Sequence, residues 1–312
     1  MSFAKFSFDI IDVACNKSQN AISYGPIESE KDIPYDNNTD NEYLKLDIYA
    51  KKFDSSIKHP VIINFHGGGF VSGDKKYRRG IADYFLNQLS EENFLYINAN
   101  YRLANGKDIV FPTPVQDCAK AMQWVVDNQE KYNFDMDNIF VSGDSAGAYL
   151  AMCMLNLTLN NDYAESIGAV KPNLKVKGGF LGCGPYDVLT ALDTVIYGLK
   201  VGTIVGKPFT GLKKVNKETI QSYEKLREIN PINYVSEEYP VLFFAHTDYD
   251  ELCPGHATIV INKLKELGVE SHEYHLDKKQ GVNHCFFLTQ KNKYGEECYA
   301  QAIAYFKEMV RK

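Results

Sequence analysis

Short, wholly apolar runs recur along most of the chain, with amphipathic stretches between them. Val61–Phe65, Phe94–Ala99, Ile139–Ser142, Val176–Leu181 and Val241–Ala245 are rich in Val, Ile and Phe and bounded by Gly, Pro or Asn. Runs of that length and composition, without polar alternation, predict strands buried on both faces. The intervening pattern is helical. From Asp117 to Val126 the apolar positions include Ala121, Trp124 and Val125. Val260, Leu264 and Leu267 keep one face up to Gly268, a helix stop. Tyr299, Ile303, Phe306 and Val310 form a stripe that predicts a closing surface helix. Strand and helix in alternation, with apolar strands, predict an α/β protein whose mostly parallel sheet is covered on both faces.

Two regions break the alternation. Residues 1–42 mix apolar and polar positions, with a polar stretch from Glu28 to Glu42, and read as an irregular amino-terminal segment. Residues 187–239 separate two predicted strands by far more than the usual few-residue connection. They contain an apolar, glycine-punctuated stretch, Thr194–Gly206, and long insertions in compact enzymes often serve as lids.

Bulk properties narrow the function. The 312 residues suffice for one large domain with an insertion, and 45% hydrophobic with 24% charged residues is ordinary for a globular protein. A net charge of −6 argues against nucleic acid and anionic lipid as partners. No run reaches the roughly 18–20 apolar residues of a membrane span. At the amino terminus, Asp9, Asp12 and Asn16 interrupt what a signal peptide would keep apolar. The seven cysteines are an odd number without metal-ligand spacing, as expected of reduced, buried thiols in a cytoplasmic protein.

Two segments carry chemistry. Gly143-Asp144-Ser145-Ala146-Gly147 follows the predicted strand Ile139–Ser142 and precedes an apolar helical run. This is G-x-S-x-G in the strand–turn–helix setting that exposes a serine oxygen on a sharp turn. The following helix aims its positive end at the same place, which favours developing negative charge. His66-Gly67-Gly68-Gly69-Phe70 ends the strand Val61–Phe65. An acyl-transfer oxyanion needs about two or three preorganised N–H donors, and glycines let a loop bring its amides close. Gly68 and Gly69 are the expected donors, with the Ala146 amide as a third; His66 reads as structural. No G-x-G-x-x-G is present, so a dinucleotide loop is excluded.

Taken with Leu46-Asp47-Ile48-Tyr49, Tyr101-Arg102-Leu103-Ala104, Phe111-Pro112, Asp117 and Trp124, these segments resemble the hormone-sensitive-lipase-like esterases of the α/β-hydrolase superfamily. The motifs stand in that group's order from about Leu44 onward. The resemblance implies an α/β-hydrolase fold with a mostly parallel eight-stranded sheet flanked by helices and a cap. The expected organisation is a catalytic domain over 43–312 with the cap insertion at about 187–239, and a segment 1–42 that is partly cap. There are departures. Asn105-Gly106 stand where the group has an acidic residue and proline, and Ala148 where a second glycine often follows. The chain before Leu44 does not match the group's amino-terminal cap helices.

The base must be histidine, since imidazole alone exchanges a proton near neutral pH without large tuning. Of seven histidines, His284 lies between the last predicted strand, Glu273–Leu276, and the closing helix, where α/β-hydrolases place the base. It resembles the group's His-Gly-Phe signature, with Cys285 at the glycine. His59, His256, His272 and His275 read as surface residues, and His246 as shaping the site. The acid should follow Val241–Ala245, where Asp248 and Asp250 both stand. The group's Asp-x-Leu element, matched by Asp250-Glu251-Leu252, favours Asp250. A His-x-x-x-Asp-x-x-x-Pro pattern in related hydrolases, matched by His246, Asp250 and Pro254, selects the same residue. Asp144 and Asp117 read as structural. The expected activity is hydrolysis of small, short- to medium-chain carboxylic esters by a Ser145–His284–Asp250 acyl-enzyme mechanism, without metal or organic cofactor. A homodimer is left open. A lactonase, amidase or peptidase would use the same triad. A non-catalytic receptor on this fold would have lost the histidine.

Overall fold

The computed structural model describes residue 9 and residues 22–37, 40–192, 194–196, 198–288 and 292–312. The amino-terminal reading at Asp12 and Asn16 lies outside them. Eight strands form one sheet: β1 (Glu28–Pro34), β2 (Lys45–Ala50), β3 (His59–Phe65), β4 (Leu95–Ala99), β5 (Phe134–Asp144), β6 (Val176–Gly182), β7 (Leu242–Thr247) and β8 (Ser271–Leu276). Their spatial order is β1-β2-β4-β3-β5-β6-β7-β8. The β1–β2 and β2–β4 pairs are antiparallel and the rest are parallel. This is the expected α/β-hydrolase architecture.

The five apolar runs and Glu273–Leu276 all became strands; β3, β4, β6 and β7 are buried along nearly their whole length, whereas Glu273–Leu276 lies in the half-exposed edge strand β8. The expectation fails at the amino-terminal end. Glu28–Pro34, read as irregular, is β1, exposed at nearly every position. It is an edge strand that needs only backbone pairing on one side, so it carries charge instead of an apolar signature; such charge also discourages pairing with another chain.

Alternate strand residues feed two cores. Ile63, Phe65, Ile97, Val141 and Phe244 pack with α2 (Thr113–Asp127), α3 (Ala146–Leu159) and α4 (His256–Glu266). Ile62, Tyr96, Phe140, Phe180 and Phe243 pack with α1 (Arg79–Gln88) and α5 (Lys293–Arg311), where Phe85, Tyr299 and Phe306 interlock. α3 is buried from Ala146 to Leu157, so it has no polar face to spare. It is a central helix that only a covering on every side can stabilise.

The register lines up the carboxyl ends of the parallel strands. Phe65 pairs with Gly143, Asp144 with Gly182, Gly182 with Ala245, and Thr247 with Leu276. The residues that follow these ends therefore converge along one rim, where ligands of open α/β sheets bind. One ion pair ties that rim together. The Arg78 guanidinium donates from Nε and Nη2 to Asp144 at 2.7 Å each, and the Gly67 amide donates to the same carboxylate at 3.2 Å. Both side chains are at most 5% exposed. Removing one member of such a buried pair strands the other charge, at a cost of about 3–5 kcal/mol. Arg78→Met should therefore lower unfolding stability by that order in urea melts; a loss below about 1 kcal/mol would contradict it.

Candidate active site

Ser145 lies between β5 and α3 at φ 53° and ψ −120°, a conformation that side-chain-bearing residues rarely adopt. Its neighbours explain how it is tolerated. A Cβ on Gly147 would lie 1.9 Å from the Phe65 carbonyl oxygen, and one on Gly143 would lie 2.3 Å from the Gly147 backbone. Glycine at both positions lets the turn close against β3. The Ser145 amide donates to the Gly182 carbonyl at 2.8 Å, which pins the turn to β6.

The glycine loop sits against this turn. Gly68, at φ 116°, leaves no room for a side chain beside the Ser72 carbonyl. Val71 and Ser72 donate back to its oxygen, which holds the loop in a tight curl. Gly69, Ser145 and Ala146 line one cavity, and Gly68 is adjacent in the chain without lining it. Among the described residues, the amides of Gly68, Gly69 and Ala146 donate to no backbone carbonyl outside the helices and strands. His66 is structural, as expected. It stacks on Tyr101 at 4.4 Å, its Nδ1 meets the Gly67 carbonyl at 2.7 Å, and burial pushes its pKa down to about 4.

His284 and Asp250 meet. His284 Nδ1 stands 2.9 Å from each Asp250 carboxylate oxygen. Asp250 also accepts from the Leu252 and Cys253 amides at 2.8 Å. Burial would raise its pKa, but the His284 ring and these amides outweigh burial and hold it below the ordinary carboxylate range. The other ring nitrogen, His284 Nε2, is buried without a hydrogen-bond partner among the described residues. Asp248 is engaged elsewhere, 2.9 Å from His275 Nε2. Two further bonds clasp the acid-bearing and histidine-bearing loops: Thr247 Oγ1 donates to the Val282 carbonyl at 2.8 Å, and the Glu251 amide donates to Asn283 Oδ1 at 3.1 Å.

Asp117 accepts two Arg102 guanidinium bonds and the Arg102 amide, and Asp144 is held by Arg78, so both are structural. His246 stacks on His275 at 4.5 Å and pairs with Glu273 at 2.8 Å. The surface reading fails for His59 and His256. His59 bonds the Asn93 and Asp54 carbonyls, and His256 Nδ1 accepts from the Asp187 amide; both rings are buried. The Asn93 carbonyl and the Asp187 amide lie 34 and 69 residues from the rings they meet and leave no local pattern. Arg78 was missed for the same reason.

The cavity at Ser145 spans about 750 Å³ of space, part of it open to solvent, and has an almost wholly apolar wall. Most of its lining comes from residues 187–239, including Leu192, Val205, Phe209 and Ile220. That segment forms short helical turns, with a two-stranded ribbon at Val195–Ile196 and Leu199–Lys200. Phe209 stacks on Phe70 of the glycine loop at 4.0 Å. Within Thr194–Gly206, Val201, Val205 and Gly206 face the cavity, whereas Val195 is exposed and Tyr197 lies outside the described residues.

Fold and elbow together define an α/β-hydrolase. Residues 46–264 match the BD-FAE family, and the chain belongs to it. Versiconal hemiacetal acetate esterase of Dothistroma septosporum is 25% identical over 80% of this chain and 73% of its own length. Probable carboxylic ester hydrolase LipM of Mycobacterium tuberculosis is 26% identical over 67% of this chain, but the match takes in only 46% of that protein. In fold, esterase B of Lactobacillus rhamnosis superposes with a TM-score of 0.81 at 18% identity, covering 99% of this chain and 94% of that one. A Pyrobaculum calidifontis esterase gives 0.71 at 21%, covering 98% and 92%. The resemblance to the hormone-sensitive-lipase-like esterases holds.

His256 shares the low pKa of His66, about 4, again through burial. Both rings stay neutral in the fold, whereas in an unfolded chain histidine takes up a proton near pH 6.5. Between those values the unfolded chain binds more protons, so stability falls as pH drops from about 6.5 to about 4. Urea melts at pH 7 and pH 4.5 should show a loss on the order of a few kcal/mol, and His256→Gln should reduce that loss. Equal stability at both pH values would refute the assignment.

Proposed function

We propose that this protein hydrolyses small carboxylic esters of short to medium acyl chain through Ser145, His284 and Asp250. The observation that carries the reading is a serine on a strained elbow, at the mouth of an apolar cavity, with a histidine held by a buried carboxylate on the same rim. Esterases among the relatives and fold neighbours support it.

In the first step His284 Nε2 takes the Ser145 Oγ proton as the oxygen bonds to the ester carbonyl carbon, and the carbonyl π electrons move onto oxygen. Amides of Gly68, Gly69 and Ala146 stabilise that oxyanion. Collapse breaks the carbon–oxygen bond to the alcohol, which leaves with the His284 proton. Water, deprotonated by the same nitrogen, then releases the acid and restores Ser145. Asp250 keeps the Nδ1 proton in place and stabilises the imidazolium. Residues 187–239 act as the cap that excludes water from the acyl group. No helix among the described residues is long and apolar enough to cross a membrane. Six described cysteines, all buried and unbridged, support a cytoplasmic setting.

Ser145→Ala should lower kcat on a p-nitrophenyl ester on the order of 10⁴–10⁶-fold with the fold intact by circular dichroism. Asp250→Asn should cost up to about 10⁴-fold by favouring the wrong tautomer, and Asp248→Asn far less. Should Asp248→Asn be the dead variant, the acid lies two residues earlier than assigned.

The cavity also sets chain length. Activity across p-nitrophenyl esters should peak at acyl groups of roughly two to six carbons, since an apolar pocket walled by 187–239 bounds the chain. A preference for long-chain triglyceride emulsions would contradict this.

A further inference from the structure

Three cysteines dispersed in sequence, Cys183, Cys253 and Cys285, lie around His284. Cys183 follows β6 immediately after Gly182, whose carbonyl holds Ser145, and its own amide donates to Ala245 at 2.9 Å. Cys285 follows His284 and donates its amide to Cys183 Sγ at 3.4 Å. Cys183 and Cys285 lie at φ 50° and 51°, so both stand on turns that carry their side chains away from the ordinary strand direction. The two sulfurs and a ring nitrogen of His284 all lie within 4.8 Å of one another. The Asp250 carboxylate and Cys253 Sγ lie within the same distance of His284 and of each other.

Two thiols and an imidazole are a donor set for zinc and other soft divalent cations, and carboxylate or water completes four-coordination. Bond lengths of about 2.3 Å to sulfur and 2.0–2.1 Å to nitrogen, at tetrahedral angles, put ligand atoms roughly 3.5–3.8 Å apart. Donors already within 4.8 Å need shifts of about 1 Å or less to close on an ion. The hydrolytic cycle uses neither thiol. Where the resembled esterases carry glycine after the histidine, this chain carries Cys285, so the donor set belongs to this chain and not to the fold.

We propose that Cys183, Cys285 and His284 form a binding site for a soft divalent cation, and that its occupation shuts off ester hydrolysis. Coordination replaces two S–H bonds by two metal–sulfur bonds, and both protons pass to solvent. His284 gives a ring-nitrogen lone pair to the ion: through Nε2 this blocks uptake of the Ser145 proton, and through Nδ1 it sends that nitrogen's proton to solvent and breaks the Asp250 bond, so in either case the base is lost. The inhibitory half rests on His284 as the base of the proposed function; the binding half does not.

The test uses the full chain, stripped of metal and kept reduced with a phosphine, titrated with Cd²⁺. The expected result is one equivalent bound, an ultraviolet cadmium–thiolate charge-transfer band, and loss of p-nitrophenyl butyrate turnover that saturates at the same equivalent. Cys285→Gly, at a backbone position that suits glycine, should abolish the band, weaken binding about tenfold or more and keep metal-free turnover. Cys183→Ala should behave alike and guards against an effect peculiar to one variant. Inhibition without the band, or binding unchanged in both variants, would place the ion elsewhere, for example on the His246–His275 pair, and overturn the proposal. Thiolate binding without inhibition would overturn its regulatory half. A wild-type chain with no turnover at all would sink the esterase reading, while the charge-transfer titration still decides the site.

Discussion

The geometry of the site depends on one buried carboxylate. Asp144 stands directly before Ser145 and takes up the Arg78 guanidinium and the Gly67 amide together. A carboxylate out of water must have all its lone pairs occupied, so it accepts only one arrangement of the groups around it. That demand fixes the glycine loop after β3 relative to the elbow after β5. The stranded alternatives cost more than either segment could recover by relaxing, so the serine keeps its unfavourable backbone angles.

From this fixed point the site extends by bonds between consecutive strand ends. Gly182 holds the Ser145 amide, and Ala245 holds the amide of Cys183. Val282 accepts the Thr247 hydroxyl, and Asn283 takes the Glu251 amide. The first two links each span one strand spacing and the last two join the loops that follow β7 and β8, so the separation of Ser145 and His284 is set from the sheet. The cavity wall is built differently. It comes from short turns in 187–239, held by the stack of Phe209 on Phe70 and by single hydrogen bonds such as the Phe111 amide to the Phe209 carbonyl and the Tyr149 hydroxyl to the Ile229 carbonyl, with no strand of the main sheet among them.

What could be read from sequence follows the same division. Strands β3 to β7 announced themselves because both faces are buried, and Gly143 to Gly147 did so because the elbow restricts residue types on successive positions. Asp250 was separable from Asp248 only through a likeness to known esterases, since both aspartates suit the turn; the structure pairs Asp248 with His275. Arg78 and Cys183 gave no signal, because their partners lie tens of residues away and nothing local constrains them; Cys285 stood out only as a departure from the group's glycine. β1 was invisible for the opposite reason: an edge strand can be built from nearly any residues. His59 and His256 looked like surface side chains because polarity in sequence does not show which carbonyls or amides will meet a ring in the fold.

The burial of α3 on every side has a kinetic consequence. A helix with no solvent face cannot fray outward while its neighbours stay in place, so its amides should exchange with water only when the two sheet faces separate. The elbow rides on the first turn of that helix. Ser145 is thereby tied to a unit that opens only with the sheet, while most of the cavity wall is built from turns outside it. Partial denaturation should therefore reshape the cavity before it displaces the Ser145 turn.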